Sequence, residues 1–472
     1  MNYTEFLESK RFTFKSSGFD PTDINPMLFD FQRDIVSWAC KKGRAALFED
    51  CGLGKSPQQL EWGRQVCNHT GGNVLILAPL AVSKQTKREG DKFGIPVTIC
   101  RSQSDVKPGI NITNYEMLQH FDPESFAGIV LDEAAILKNY SGKIRNEIID
   151  AFRNTPYKLS CTATPAPNDY MELGNQCEFL GVMTRVEMLA TFFVHDGGDT
   201  AKWRLKGHAE DKFWEWISSW AVVLSKPADL GYDDGGFELP PLTVHEVMVE
   251  AEPLNEEGQM SLFADLAQSL TERRQARRNS LDNRVQAACN LVNEDDTGNQ
   301  WLVWCDLNDE SKALADGIPG SVEVRGSDSN EHKETSMIDF ASSTQRILVS
   351  KASIAGLGMN WQNCSNMIFV GMSDSYEMLY QAIRRCWRFG QTQPVDVYMV
   401  ISEQEGAVKA NIERKERDYQ RMFAEMVKHT KDILTQEVHG TIKNTETYHA
   451  DKEMRLPGWV RSEGSDESYR AI

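Results

Sequence analysis

Short apolar runs alternate with amphipathic stretches along the first third of the chain. The runs lie between residues 44 and 165 and read AALF (45–48), NVLIL (73–77), VTIC (97–100), INIT (110–113), GIVLD (128–132) and YKLSC (157–161). Strands that are apolar throughout and separated by helical stretches are typical of a parallel sheet with helices on both faces. In such sheets, functional residues collect at the carboxyl ends of the strands.

The same alternation resumes after a helical stretch (253–293). The later runs read WLVWC (301–305), VEV (322–324), RILVS (346–350), NMIFV (366–370) and VDVYMVI (395–401), and a long amphipathic helix is expected over 403–438. The turn-rich stretch YDDGGFELPPL (232–242) separates the two halves. We therefore expect a lead-in over 1–28, a first domain over 29–240, a second over 241–440 and a polar tail over 441–472.

An aromatic-rich insert at about 181–225 interrupts the strand rhythm of the first domain. One predicted helical face carries apolar residues that are typical of a core position: Phe213, Ile217, Trp220 and Ala221. Trp214 and Trp216 lie off that face, near three lysines and one arginine (Lys202, Arg204, Lys206 and Lys212). Aromatic residues interleaved with basic ones fit either local packing or stacking on nucleic-acid bases.

Composition and charge limit the class of protein. The chain has 472 residues and a formal net charge of −18, which argues against a protein that coats nucleic acid by bulk electrostatics. Local basic clusters, such as Lys84, Lys87 and Arg88, fit either a solvated helix face or a phosphate contact. The longest apolar run (74–82) is too short for a membrane span, and the charged N-terminus does not resemble a signal peptide. The ten scattered cysteines indicate reduced thiols.

The stretch AALFEDCGLGKS (45–56) predicts a strand, a glycine turn and a helix that begins at a Lys-Ser pair. Gly52 and Gly54 allow close approach of an anion, Lys55 supplies a charge for the phosphates, and the Ser56 hydroxyl can bind Mg²⁺. Glu49 stands where the usual pattern has its first glycine. An ordinary strand–turn–helix with a solvent lysine is therefore the alternative.

An acidic pair ends the strand GIVLD, in the same predicted sheet as the glycine loop. Asp132 is suited to hold Mg²⁺ through water, and Glu133 to polarise the water that attacks a γ-phosphate. Together with the loop, the pair predicts binding and hydrolysis of a nucleoside triphosphate. Gln32, at the start of a predicted helix, fits either an adenine contact or a surface position. The hydroxyls of CTATPAPND (161–169) can join the acidic pair to a neighbouring surface.

These motifs resemble those of superfamily two helicases. LDEAAILKN (131–139) with CTATPAPN (161–168) carries the likeness, and LKN together with EDCGLGKS resembles the Swi/Snf-type branch, whose phosphate loop also lacks the first glycine. ITNYEML (112–118), GLGMNW (356–361) and QAIRRCWRFGQ (381–391) are similar to further motifs of that branch. The chain departs from the family at SDSYEM (373–378), where a WNP segment is usual.

The resemblance implies two tandem RecA-like parallel α/β lobes with an ATP site in the cleft between them, and ATP and Mg²⁺ as cofactors. Arg385 and Arg388, expected on one helix face, are suited to stabilise γ-phosphate charge from across the cleft. The resemblance also suggests residues that contact nucleic acid: Thr113, Asn114, Lys138 and Ser353.

The function expected from the sequence is that of an ATP-driven DNA helicase or translocase, compact and of bacterial or phage type. Duplex DNA is favoured over single strands as the partner, with a further protein partner at the C-terminal tail and no membrane. The expected location is the cytoplasm of a bacterial or phage-infected cell. The alternatives are an RNA helicase, which LKN and the RxGQ ending disfavour, and a nucleotide-gated DNA clamp or assembly subunit with weak ATPase activity.

Overall fold

A seven-stranded, fully parallel sheet forms the first lobe in this computed structural model. Its strand order is β3-β4-β2-β5-β6-β1-β9. The strands are β1 (Arg44–Glu49), β2 (Asn73–Ala78), β3 (Val97–Ile99), β4 (Ile110–Asn114), β5 (Phe126–Asp132), β6 (Tyr157–Thr162) and β9 (Ala221–Leu224). The structure describes residues 17–79, 82–138, 142–167, 169–196, 199–250, 278–355, 359–371 and 375–438.

Helices cover both faces of this sheet because its strands are apolar on both sides. The helices are α1 (Asp30–Lys42), α2 (Lys55–Thr70), α3 (Ser83–Phe93), α4 (Lys143–Ala151), α5 (Leu173–Leu180), α6 (Arg185–Phe192) and α7 (Glu210–Ser218). Between α6 and α7 lies an antiparallel hairpin of β7 (Phe193–Asp196) and β8 (Asp199–Leu205). None of the helices in the described residues is long and apolar enough to cross a membrane.

The second lobe is a six-stranded parallel sheet in the order β10-β15-β14-β11-β13-β12. Its strands are β10 (Leu242–Val249), β11 (Trp301–Cys305), β12 (Ser321–Val324), β13 (Ile347–Lys351), β14 (Asn366–Val370) and β15 (Val395–Ser402). Its helices are α8 (Leu281–Asn293), α9 (Asn308–Gly317), α10 (Asn330–Ala341), α11 (Ala352–Ala355), α12 (Tyr376–Ile383) and α13 (Gly406–Val438). The predicted fold class, α/β with two tandem parallel-sheet lobes, is confirmed.

The sequence prediction missed two edge strands, β9 of the first sheet and β10 of the second. Ala221, assigned above to a helical face, begins β9 instead, because α7 already ends at Ser218. The backbone of Ala46 in β1 donates a hydrogen bond to the carbonyl of Trp220 (2.8 Å), which aligns the new strand. β10 alternates half-buried and exposed residues, as expected of an edge strand with one face on the core.

The aromatic insert packs within the protein. Trp214 is 2% exposed and stacks on His429 of α13 with ring centroids 5.5 Å apart. Trp216 is half-buried, with its ring 5.2 Å from Phe192 and 5.4 Å from Trp220. Of the two interpretations of these tryptophans, local packing and stacking on nucleic-acid bases, the structure favours local packing.

The long helix α13 begins in the second lobe and packs against the first. It contacts β9 and α7 along its length, and its Leu434 is buried in a core cluster of the first lobe. The hydroxyl of Tyr419 donates a hydrogen bond to the carbonyl of Ala163 in the first lobe (2.7 Å). The helix covers an edge of the first sheet that would otherwise expose backbone groups, and it links the two lobes.

Candidate active site

The loop from Asp50 to Gly54 follows β1 and leads into α2, as predicted. Gly54 is the N-cap of α2 with φ +81°, and Gly52 has φ +94°, so both glycines adopt backbone angles that other residues disfavour. The N–H groups of Gly52, Leu53 and Gly54 donate no hydrogen bond to other described residues. Free N–H groups at the start of a 16-residue helix form a suitable anion site.

Lys55 and Gln32 both hold this loop in place. The Lys55 ammonium donates to the carbonyls of Glu49 (2.7 Å) and Asp50 (3.1 Å), so its charge lies along the loop. The Gln32 amide is buried and donates to the carbonyl of Leu53 (2.8 Å). A Cβ on Gly54 would lie 2.3 Å from the Gln32 amide nitrogen, which explains the requirement for glycine. Gln32 therefore lies beside the loop, where it also supports the backbone.

A buried carboxylate, Glu49, ends β1 directly beneath the loop. Its side chain is fully buried, and Gln58 donates a hydrogen bond to one oxygen (2.8 Å). The other oxygen, Oε1, has no partner among the described residues. Burial raises the pKa of Glu49 from 4.5 to about 7, although Lys55 and the Gln58 hydrogen bond oppose that rise. In the sequence, Glu49 stands out only as the residue that replaces a glycine, and its burial was not predicted.

Asp132 is the last residue of β5, at the same sheet edge as the loop. Gln59 of α2 donates a hydrogen bond to its carboxylate (2.8 Å), and the Tyr115 hydroxyl donates to its backbone carbonyl (2.7 Å). Burial raises the pKa of Asp132, while the charges of Lys55 and Arg385 lower it. Two cations of different lobes therefore lie close enough to influence this carboxylate. An oxygen ligand held in this way suits a hard cation such as Mg²⁺.

Glu133 adopts a left-handed backbone conformation, with φ +58°. Few residues other than glycine adopt this conformation, and such strain is concentrated at functional sites. The Thr162 hydroxyl, at the end of β6, donates a hydrogen bond to the Glu133 carboxylate (2.9 Å). The predicted link between the threonine turn and the acidic pair is confirmed. Burial raises the pKa of Glu133, and Lys55 lowers it.

The expectation that Arg385 and Arg388 share one helix face is wrong. The helix α12 ends at Ile383, and both arginines lie in the turns that follow. Arg385 folds back to donate to the carbonyls of Gln381 (3.0 Å) and Met359 (3.2 Å), which satisfies a carbonyl at the helix end. The turns still bring Phe389 to the loop after β1, because a Cβ on Gly52 would lie 2.9 Å from the backbone nitrogen of Phe389.

The Arg388 guanidinium has no hydrogen bond or ion pair to another described residue, and the residue is half-buried at the lobe junction. A Cβ on Gly52 would lie 3.7 Å from the Cβ of Arg388. Burial and the charges of Arg385 and Arg384 lower the pKa of Arg388. An unpaired guanidinium beside a glycine loop with free N–H groups is the arrangement expected of an anion ligand.

Arg384, which the sequence analysis left without a role, contacts the loop directly. It forms an ion pair with Asp50 and donates to the carbonyl of Cys51 (2.9 Å), and Tyr380 also hydrogen-bonds Asp50. Arg384 is 4% exposed, and the charge of Asp50 raises its pKa despite burial. The signal in the sequence was an acidic residue in the loop and a third arginine in the last motif.

The four residues expected to contact nucleic acid lie in different environments. Thr113 is buried in β4, and the Asn114 side chain accepts a hydrogen bond from the backbone of Met117 (3.1 Å). Lys138 forms an ion pair with Glu377 of the second lobe. Lys138 and Ser353, which lies in α11, are the two exposed members of the set.

A cavity of about 710 Å³ lies beside the first half of the loop, between the lobes and α13. Asp50–Leu53 form one side, and aromatic residues such as Phe389 and Tyr419 form others. Lys55, Asp132 and Glu133 do not line it. The cavity therefore adjoins Gly52, Leu53 and Arg384 but does not extend to Lys55 or the acidic pair.

Residues 283–390 match the model of the family described as Helicase conserved C-terminal domain. The match ends at Gly390, so it includes Arg384, Arg385 and Arg388. This part of the second lobe is thus similar to helicase C-terminal domains. A comparison with curated proteins found no match.

Among solved structures, the chain is similar to a SWI2/SNF2 ATPase core from Sulfolobus solfataricus, which was determined in complex with double-stranded DNA. The two have 18% sequence identity and a TM-score of 0.40, over 89% of this chain and 98% of the other.

Proposed function

We propose that the protein is an ATP-dependent DNA translocase of the Swi/Snf-type branch of superfamily two helicases. The observation that carries the proposal is the contact between the loop Asp50–Gly54 and the second-lobe segment Arg384–Phe389. Arg384 pairs with Asp50, and Phe389 packs on Gly52, so groups of both lobes surround one anion site. A site shared in this way ties hydrolysis to the relative position of the lobes, which is the requirement for a motor.

The residues present fit MgATP. The free loop N–H groups and Lys55 would hold the phosphates, and the Ser56 hydroxyl and Asp132 would hold Mg²⁺, which neutralises phosphate charge when bound. Glu133 would orient and deprotonate the attacking water, and Arg388 would stabilise charge that develops on the γ-phosphate oxygens. Gln32 would contact the nucleotide from the other side of the loop. In this scheme, the positive charge of Arg385 lowers the pKa of Asp132 and so favours its ionised form.

Movement along a duplex, rather than separation of its strands, is supported by the burial of the aromatic insert. Strand separation needs a wedge that unstacks base pairs, at about 1.4 kcal/mol per step. Trp214 is covered by α13, and Trp216 packs on Phe192 and Trp220. Neither tryptophan is placed to act as a wedge.

Steady-state ATPase measurements with no nucleic acid, single-stranded DNA, duplex DNA and RNA test the proposal. We expect duplex DNA to stimulate turnover most strongly. Stimulation by RNA alone would favour an RNA helicase, and negligible turnover in all four conditions would favour a nucleotide-gated clamp.

Two displacement assays separate translocation from unwinding. Release of the third strand from a triplex reports movement along the duplex, and release of one strand from a fork reports unwinding. We expect triplex displacement. Efficient fork unwinding without triplex displacement would contradict the duplex-translocase proposal.

A further inference from the structure

The turn after β6 lies between the catalytic carboxylate and the second lobe. Thr162, which holds Glu133, also accepts a hydrogen bond from the backbone N–H of Thr164 (3.0 Å). Both threonines are fully buried. The geometry of this turn therefore sets the position of the hydroxyl that orients Glu133.

Two side chains of the second lobe contact this same turn. The hydroxyl of Tyr419 donates to the Ala163 carbonyl (2.7 Å), and the Thr164 hydroxyl donates to the Glu377 carboxylate (3.4 Å). Glu377 is 13% exposed and also pairs with Lys138, which ends the segment after the acidic pair. Hydrogen bonds thus run from Glu133 through the turn to the second lobe.

Neither contact is carried over from the helicase resemblance. Glu377 lies in SDSYEM, where the chain departs from the usual WNP segment. Tyr419 lies on α13, beyond the matched helicase domain. Both side chains reach the first lobe only while the lobes are in contact.

We propose that Glu377 and Tyr419 are positioning residues for Glu133, which they orient through the Thr162–Thr164 turn. Separation of the lobes removes both contacts and releases the turn, so Glu133 is oriented for catalysis only in the closed arrangement. The inference rests on the proposed ATPase function and names the residues that couple lobe closure to the catalytic carboxylate.

Kinetic constants distinguish positioning from a general effect on the fold. Neither residue contacts the loop N–H groups or Lys55, so ATP binding is retained when either contact is lost. Loss of one hydrogen bond in the chemical step corresponds to about a 5-fold lower rate. We therefore expect Tyr419→Phe and Glu377→Ala each to lower kcat about 5-fold or more, with KM for ATP within about 2-fold of wild type.

Matched variants sharpen the test. Tyr376→Phe removes a hydroxyl from the same aromatic cluster that has no hydrogen bond to another described residue, so wild-type kinetics are expected. Glu377→Gln keeps an acceptor for Thr164 and should recover at least half of the kcat lost in Glu377→Ala. Unchanged kcat in both Tyr419→Phe and Glu377→Ala, or a raised KM with unchanged kcat, would overturn the proposal.

Hydrogen–deuterium exchange of the full chain without nucleotide provides a second readout. We expect faster exchange of the amides at 162–164 in Tyr419→Phe than in Tyr376→Phe, and equal exchange would overturn the proposal. A wild-type protein without ATPase activity would contradict the proposed function. An active wild type with unaffected variants would contradict this inference alone.

Discussion

Replacement of Glu49 by glutamine should remove a pH dependence of stability. Glu49 is fully buried, one of its oxygens has no partner in the described part of the chain, and burial raises its pKa from 4.5 to about 7. The folded state therefore binds a proton more tightly than the unfolded chain, and stability falls as pH rises from 4.5 to about 7. Glutamine has a similar shape, still bonds Gln58 and carries no charge.

The magnitude follows from the two pKa values. The interval between 4.5 and about 7, at about 1.36 kcal/mol per pKa unit, corresponds to about 3 kcal/mol. The free energy of unfolding of Glu49→Gln should exceed that of wild type by almost nothing at pH 4.5 and by about 3 kcal/mol above pH 7, where the difference stays constant. For a lobe of this size, 1 kcal/mol shifts the melting midpoint by about 2–4 °C.

Thermal melts of the nucleotide-free protein between pH 4.5 and 8.5 make the measurement. The control is Glu116→Gln, which removes an exposed carboxylate and should track wild type at every pH. Melting midpoints of Glu49→Gln and wild type that stay parallel over this range would refute the reasoning, because Glu49 would then ionise at its ordinary pKa.

Three further substitutions test the site itself. Lys55→Ala should abolish hydrolysis and weaken nucleotide binding in a titration with a fluorescent ATP analogue, and full turnover would contradict the loop assignment. Arg388→Ala should keep ATP binding and lose roughly 10³-fold in turnover, whereas a normal rate would mean that the lobes do not share the site. Arg384→Ala leaves Asp50 without its ion pair at the lobe junction. We expect a loss of about 2 kcal/mol of transition-state stabilisation, a moderate value because Asp50 is partly exposed. This loss corresponds to a fall of about 30-fold in kcat/KM. Arg384→Lys should not restore it, since the guanidinium bridges Asp50 and the Cys51 carbonyl; unaltered kcat/KM in Arg384→Ala would contradict this role.

The local elements around the site followed from the sequence. Each continuous apolar run of the two lobes became a strand, because burial on both faces leaves a strong signal. The helix that begins at Lys55 was predictable from its glycine cap. β9 was missed because its four residues follow the aromatic face of α7 without a turn signal.

Contacts between distant parts of the chain could not be predicted in this way. The Arg384–Asp50 ion pair joins residues that are 334 positions apart, and it depends on how the lobes meet. The helix α12 ends before Arg385, whose side chain donates a hydrogen bond to the Gln381 carbonyl. The periodicity of apolar residues does not predict a bond of this kind. The packing of α13 on the first lobe likewise depends on tertiary contacts, which involve Tyr419 and Trp214.

The most direct test of the central claim is a comparison of nucleotide binding and turnover in Glu133→Gln. The claim is that the loop and Asp132 hold MgATP while Glu133 acts only on the attacking water. Glutamine keeps the hydrogen bond from Thr162 but cannot accept the proton. The account predicts wild-type affinity for MgATP with turnover reduced to background, in the presence of duplex DNA. Retained turnover, or a collapse of MgATP affinity, would contradict it.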